Sequence, residues 1–195
     1  MILTRHLAVR IFVCVCVLTG FARATAAQLP TPWAHRDVGS PSAVGSAAES
    51  AGTFTVRGGG SDIWNSSDQF QFVHRPVTGD VDIRAQVVGV QYIDEWTKAG
   101  VMIRETTGAT ARHASTFVTP GNGLAFQRRE ATGGISTHTA GGSATAPYWV
   151  RIVRAGQLFT SYVSANGTSW SLVGSETISM TATIQVGLAV TSHKT

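Results

Sequence analysis

The stretch that decides the fold class is Val81-Asp82-Ile83-Arg84-Ala85-Gln86-Val87, in which apolar and polar residues strictly alternate. In an extended chain this spacing places the apolar residues on one face of a strand and the polar residues on the other. The same alternation recurs over residues 98–104, 149–153 and 184–190. Further runs with a β-rich composition lie at residues 54–56, 70–73, 113–118, 124–128 and 159–163. No segment after residue 52 shows a sustained 3.6-residue period, so the sequence predicts β structure throughout this part of the chain.

Turn residues separate the predicted strands. Asn122-Gly123 and Asn166-Gly167 each lie between two β runs, and Asn-Gly is a dipeptide that supplies two positive-φ residues to a tight hairpin turn. Roughly ten short strands follow one another at spacings of about 8–12 residues, without helices between them. The sequence therefore predicts an all-β chain that folds as a two-sheet antiparallel sandwich.

The N-terminus of the 195-residue chain has the composition of a secretory signal peptide. A basic start with Arg5 and Arg10 precedes an apolar run over residues 11–21, and small residues follow over residues 22–27. We predict that residues 1–27 are cleaved, that residues 28–52 form a lead-in segment rich in Pro, Ala, Ser and Gly, and that residues 53–195 form the sandwich domain. The mature chain is then expected to be secreted or periplasmic, with no membrane attachment.

Removing the leader changes the chemistry that the chain offers. Three of the 15 basic residues lie in the leader, which leaves 12 against 11 acidic residues, so the net charge falls from +4 to +1. So small a charge gives little counterion release, which argues against nucleic acid as a partner. Both cysteines, Cys14 and Cys16, also lie in the leader. The mature chain is therefore predicted to have no disulfide, no cysteine–zinc site and no thiol nucleophile.

A set of short runs carries a resemblance to a known family. The set comprises Phe54-Thr55-Val56, Asp62-Ile63-Trp64, Asp68-Gln69-Phe70-Gln71-Phe72-Val73, Lys98-Ala99-Gly100-Val101-Met102-Ile103-Arg104-Glu105, Thr119-Pro120-Gly121-Asn122-Gly123, Phe126-Gln127-Arg128-Arg129, Trp149-Val150-Arg151, Asn166-Gly167-Thr168-Ser169-Trp170 and Val186-Gly187-Leu188-Ala189-Val190-Thr191-Ser192-His193. Together they resemble the DUF1349 or enolase-regulation-like family, whose members have the concanavalin A-like lectin/glucanase sandwich. The resemblance spans about residues 33–193 and implies a jelly-roll-like sandwich, but it implies no established catalytic activity.

One departure from the family concerns its last strand. Family members usually continue beyond the Val-Thr-Ser-His run into a strand that helps close the sandwich, whereas this sequence stops at Thr195. Three interpretations stay open: a missing strand that leaves an exposed sheet edge, a truncated gene, or compensation by the lead-in segment.

Aromatic and polar residues point to sugar as the ligand. Pyranose rings present apolar faces that stack on aromatic rings, and hydroxyls that hydrogen-bond to polar side chains. Trp64 and Trp96 lie in loops with acidic or polar neighbours, and the outward-facing strand positions are polar. If their strands were adjacent in one sheet, these residues would form one concave carbohydrate-binding surface: Trp64, Trp96, Asp82, Arg84, Lys98, Arg104, Gln127 and Arg129. The alternative is a solvated outer sheet with both tryptophans closing the ends of the sandwich.

Catalytic and metal-binding patterns are weak. Glycosidases use two carboxylates that flank one bond, and Asp82 with Glu105 is the least implausible pair. The five histidines of the mature chain are scattered singly, without zinc spacing. Calcium bound by Asp62 and Asp68 is an alternative, although turn capping explains these aspartates better. The sequence therefore predicts no catalytic residue, no metal and no cofactor.

These observations favour a binding module over an enzyme. The predicted function is that of a secreted, non-catalytic module that binds carbohydrate of a cell wall or an extracellular polysaccharide. A structural or self-associating envelope module is the main alternative, and a glycan hydrolase or lyase is the third. The sequence makes no prediction about the oligomeric state.

Overall fold

The structure, a computed structural model, describes residues 6–12 as a backbone strand and residues 28–194 in full. These ranges contain strands and no helix, as the sequence predicts, and therefore no helix that could cross a membrane. The strands are β1 (His6–Phe12), β2 (Ala34–Val38), β3 (Ser46–Ser50), β4 (Thr53–Arg57), β5 (Phe70–Thr78), β6 (Val81–Val87), β7 (Lys98–Arg104), β8 (His113–Val118), β9 (Leu124–Arg129), β10 (Thr137–Gly142), β11 (Tyr148–Ala155), β12 (Leu158–Ser164), β13 (Ser171–Thr177) and β14 (Thr183–Thr191).

The strands form two sheets that face each other as a sandwich. Sheet I has the order β13-β12-β11-β6-β1-β4-β3, and sheet II has the order β10-β9-β8-β7-β14-β5-β2. Neighbours among β2 to β14 are antiparallel, which confirms the predicted antiparallel sandwich. The exception is β1, which runs parallel to both of its neighbours, β4 and β6.

The central strands β7, β8 and β9 of sheet II are buried on both faces. Ala99, Val101 and Ile103 of β7 belong to the main core between the sheets, whereas Met102 belongs to a second apolar cluster on the outer face. Ile63, in the loop that follows β4, packs into this second cluster and so covers part of the sheet. The alternation of β7 therefore separates two buried environments rather than a core from solvent.

The predicted lead-in segment, residues 28–52, contributes strands β2 and β3. Each lies at the edge of a sheet, where one side of the backbone is left unpaired. Trp33 precedes β2 and contacts Phe54 with ring centroids 5.2 Å apart, so it fastens the segment to the core.

Most of the predicted leader lies outside the described residues. This holds for residues 1–5 and 13–27, including both cysteines, so the cleavage and the cysteine chemistry stay predictions. Residues 6–12 form β1, in the interior of sheet I.

Both predicted Asn-Gly turns join neighbouring strands. Gly123 and Gly167 have φ values of 70° and 74°, which glycine adopts without a steric penalty. Asn122 and Asn166 do not share this positive φ. The turns therefore use one left-handed residue each rather than the predicted two.

Candidate functional site

A pocket of about 370 Å³ lies on the outer face of sheet II. Two strands and the start of a third supply its floor, and loops supply its walls. Its lining residues are Asp62, Trp64, Trp96, Lys98, Gln127, His138 and His193. The pocket thus combines two indoles with five polar side chains.

Strand pairing and loop anchoring place these side chains together. Gln127 of β9 is the direct cross-strand partner of His138 in β10, and cross-strand partners lie on the same face of a sheet. Trp96 is fixed by its backbone N–H, which donates to Asp94 Oδ1 at 2.9 Å. The Trp96 ring meets the His138 ring edge-on, with centroids 5.7 Å apart.

An ion pair forms one side of the pocket. Lys98 Nζ donates to Asp62 Oδ1, and His193 Nδ1 lies 3.2 Å from Asp62 Oδ2. Burial lowers the pKa of Lys98, and the Asp62 carboxylate partly offsets this effect. The Lys98 ammonium also lies 5.6 Å from the centroid of the Trp96 ring, a cation–π distance. The pair brings a donor and an acceptor to the pocket without adding net charge.

The side-chain amide oxygen of Gln127 is an unsatisfied hydrogen-bond acceptor. The residue is 2% exposed, and its Oε1 atom is buried without a hydrogen-bond partner among the described residues. An unpaired buried acceptor costs free energy, which makes this oxygen of the pocket wall a candidate acceptor for a ligand.

His138 is a neutral member of the pocket. Burial lowers its pKa below the usual value of 6.5, and the positive charges of Lys98 and Arg128 act in the same direction. At neutral pH its imidazole is therefore uncharged and offers one donor and one acceptor nitrogen.

A buried network lies beneath the loop that carries Trp64. Asp68 accepts from Arg104 Nη1 at 2.6 Å and from Arg129 Nη1 and Nη2 at 2.8 Å and 2.6 Å. Burial opposes ionisation of Asp68, but the hydrogen bond from Arg129 and the surrounding positive charges hold its pKa below the usual range. Arg129 Nη2 also donates to the Trp64 carbonyl at 3.0 Å. The network therefore supports the pocket wall from below.

The structure divides the eight predicted site residues into three groups. Trp64, Trp96, Lys98 and Gln127 line the pocket together. Arg104 and Arg129 belong to the same sheet but have no exposed surface, because the covering loop supplies Asp68 as their partner. The expectation that both arginines reach a ligand from an open sheet face is therefore corrected.

Asp82 and Arg84 form the third group, on the opposite sheet. Both belong to β6 of sheet I, so they cannot share a surface with the residues of sheet II. Asp82 accepts from Arg151 Nε at 2.8 Å and from Arg151 Nη2 at 2.7 Å. The predicted single concave surface is wrong for this pair, because strand alternation gives the face of a strand but not the sheet to which it belongs.

The other three acidic residues that the sequence offered for catalysis or calcium, Glu105, Asp62 and Asp68, have structural partners. Glu105 follows β7 in sheet II and accepts from Arg112 and from the Thr181 backbone, so it lies on a different sheet from Asp82. Asp62 and Asp68 are each engaged by cationic side chains.

Three residues of the pocket were absent from the predicted ligand set: Asp62, His138 and His193. His138 lies in a polar and glycine-rich strand whose sequence gives no apolar alternation. Its pairing with Gln127 is the only signal that could have placed it, and that pairing is a tertiary property.

Comparison with known proteins identifies no family. No protein-family model matches the chain, and no curated protein matches it either. The DUF1349 resemblance therefore stays a prediction.

Solved structures share the fold at low sequence identity. A functionally unknown protein from Saccharomyces cerevisiae is 19% identical with a TM-score of 0.61, over 82% of this chain and 88% of that chain. The carbohydrate-binding module CBM66 from Bacillus subtilis is 17% identical with a TM-score of 0.52, over 83% of this chain and 94% of that chain. The GH43 protein BlXynB from Bacillus licheniformis is 15% identical with a TM-score of 0.44, over 63% of this chain and 26% of that chain. The first two similarities agree with the two-sheet β-sandwich described above.

Proposed function

We propose that the chain binds carbohydrate and that the pocket on sheet II holds a sugar ring. The observation that carries this proposal is the meeting of two indoles, Trp64 and Trp96, with the unpartnered amide oxygen of Gln127. Sugar sites combine aromatic rings with a few convergent polar groups, since a sugar ring is apolar on its faces and polar at its rim.

The polar groups of the pocket supply both donors and acceptors for sugar hydroxyls. In the proposed complex, Gln127 Oε1 accepts from a hydroxyl, the Lys98 ammonium donates to one, and the Asp62 carboxylate accepts from one. Because Lys98 and Asp62 neutralise each other, the pocket favours a neutral sugar over a charged one. The fold shared with a protein described as a carbohydrate-binding module supports this proposal.

We propose binding without hydrolysis. Asp82 and Glu105, the most plausible acidic pair of the sequence, lie on different sheets, and the pocket contains a single carboxylate, that of Asp62. Glycosidases use a second carboxylate beside the scissile bond. The predicted leader fits a ligand outside the cytoplasm, such as a cell-wall or extracellular polysaccharide.

Retention on polysaccharides tests the proposal. Affinity electrophoresis through gels that contain soluble plant and bacterial polysaccharides, with pull-down on insoluble cell-wall material, gives a dissociation constant for each. We expect at least one neutral polysaccharide to retain the protein, and Trp64→Ala and Trp96→Ala to weaken retention at least ~tenfold.

Trp170→Ala is the matched control, because Trp170 stacks on Arg151 of sheet I, away from the pocket. It should bind as the unmodified protein does. Thermal unfolding of each variant shows that the fold survives. The proposal fails if no polysaccharide retains the folded protein, or if Trp170→Ala weakens retention as much as Trp96→Ala.

A further inference from the structure

Strand β1 occupies an interior position of sheet I and is parallel to both of its neighbours. Strand β1 lies between β4 and β6, which are not neighbours of each other. It pairs with β6 from His6↔Asp82 to Ile11↔Val87, and with β4 from Arg10↔Thr53 to Phe12↔Thr55. The two halves of sheet I are therefore joined through residues 6–12.

The same residues belong to the leader that the sequence predicts to be removed. Its removal would leave β4 and β6 with rows of backbone N–H and C=O groups that face a gap one strand wide. Phe54, Val56, Ile83, Ala85 and Val87, all in the main core, line the two strands that border this gap. Both the backbone groups and the apolar side chains favour an occupant of the position.

We propose that the processed protein uses this position as an acceptor for an extended peptide segment of a partner chain. Main-chain hydrogen bonds to two strand edges provide affinity in such strand addition, and alternate side chains provide specificity. The register defines the sequence that fits, since Leu7, Val9 and Ile11 stand opposite the buried Ile83, Ala85 and Val87. The expected partner segment is about seven residues long, with apolar residues at alternate positions.

A cavity shows where a longer partner would continue. It has a volume of about 520 Å³. Residues that follow β4 and β6, such as Gly58 and Val90, line one side of it, and Val190 and Thr191 of β14 in sheet II line another. Because β1 is parallel to both strands, the cavity lies at the end of the position where Phe12 leaves it. The acceptor position between β4 and β6 lies in sheet I, whereas the pocket that contains Trp64 and Trp96 lies on the outer face of sheet II, so either proposal can fail without the other.

Amide hydrogen exchange on two forms of the full chain tests the acceptor. One form is made in the cytoplasm and keeps its N-terminus; the other is exported by a bacterial host and collected after processing, with its mass recorded. We expect the exported form to lack residues 1–27 and its β4 and β6 amides to exchange at least ~tenfold faster. A synthetic peptide of residues 5–13 should restore slow exchange and raise the melting temperature by several degrees.

Two controls make the result specific. A peptide with Leu7→Asp, Val9→Asp and Ile11→Asp should restore nothing, and amides of β9 and β12, which do not border the position, should exchange alike throughout. Retention of residues 6–12 after export would overturn the proposal. Slow exchange of the β4 and β6 amides in the exported form without peptide would also overturn it. The two strand edges would then be paired with each other or, if the protein is dimeric, with a second copy.

Discussion

Arg129 and Asp68 form a two-point ion pair in which neither side chain has any exposed surface. Arg104 binds the same carboxylate from β7, so one buried anion serves two buried cations. Breaking a buried pair leaves an uncompensated charge in a medium of low polarity, which costs far more than the pair itself contributes.

Asp68→Asn should therefore lower the free energy of unfolding by about 3–5 kcal/mol, because both guanidiniums lose their counter-charge. Urea denaturation followed by tryptophan fluorescence measures this change. Glu176→Gln is the matched control, since Glu176 pairs with Arg128 at the partly exposed surface and should cost less than about 1 kcal/mol. Equal losses in both variants would contradict the assignment of the network as a support of the fold.

Gln127→Leu should separate binding from stability. The substitution removes an acceptor that has no partner within residues 28–194, so the free energy of unfolding should stay constant or rise slightly. The affinity for the polysaccharide that retains the unmodified protein should fall about tenfold, because one hydrogen bond to the ligand is lost. Gln71→Leu is the control, since Gln71 also has a buried, unpartnered oxygen but lies outside the pocket. A Gln127→Leu variant that binds normally would exclude this amide from the ligand site.

Gly167→Ala should destabilise the protein more than Gly156→Ala does. Both glycines have positive φ, 74° and 62°, which costs an alanine about 1–2 kcal/mol. An added Cβ at Gly167 would also lie 2.7 Å from the Trp149 ring, whereas at Gly156 it would meet nothing within 4 Å. Overpacking costs about 1–3 kcal/mol, so the free energy of unfolding should be lower by this amount in Gly167→Ala than in Gly156→Ala. Urea denaturation of the two variants measures this difference. Identical losses would show that the Trp149 ring moves aside freely.

Stability should fall as the pH is lowered from about 6.5 towards 3. Burial lowers the pKa of His113 from 6.5 to about 3. Between these values the unfolded chain binds a proton that the folded chain does not, so the free energy of unfolding decreases with falling pH, by at most about 1.4 kcal/mol per pH unit for this group. Burial also lowers the pKa of His74 and His138, which adds to the slope in the same sense.

His113→Gln removes one of these three groups. Urea denaturation at a series of pH values should therefore give a shallower slope for the variant than for the unmodified chain. A slope that does not change would mean that His113 titrates alike in the folded and unfolded chains.

The sequence predicted the interior strands of β2 to β14 and missed the edges. The four unpredicted strands, β2, β3, β10 and β13, are the four edge strands of the two sheets. Interior strands need apolar side chains at alternate positions because they border the core along their length. An edge strand such as β10, Thr-His-Thr-Ala-Gly-Gly, is half exposed and carries no such pattern.

The candidate site was predictable only in part for a related reason. Lys98 and Gln127 could be placed on an outward strand face from alternation, and Trp64 and Trp96 in loops from their neighbours. Alternation cannot show that the loop with Ile63 and Asp68 covers the outer face of sheet II beside Lys98. Because of this cover, Arg104 and Arg129 are buried rather than exposed. Alternation also cannot assign Asp82 and Lys98 to different sheets, since that depends on strand order.

The last described residues contact the two loops that form walls of the candidate pocket, and this has a practical consequence for handling the protein. His193 contacts Asp62, Lys194 binds Asp94 at 2.7 Å, and the Ser192 carbonyl accepts from Thr97 at 3.0 Å. A tag, dye or surface linker attached at this end would therefore disturb the contacts that hold the two loops with Trp64 and Trp96. Immobilisation for the polysaccharide-binding test therefore belongs at Gln28, which lines a separate cavity with Trp33 and His35.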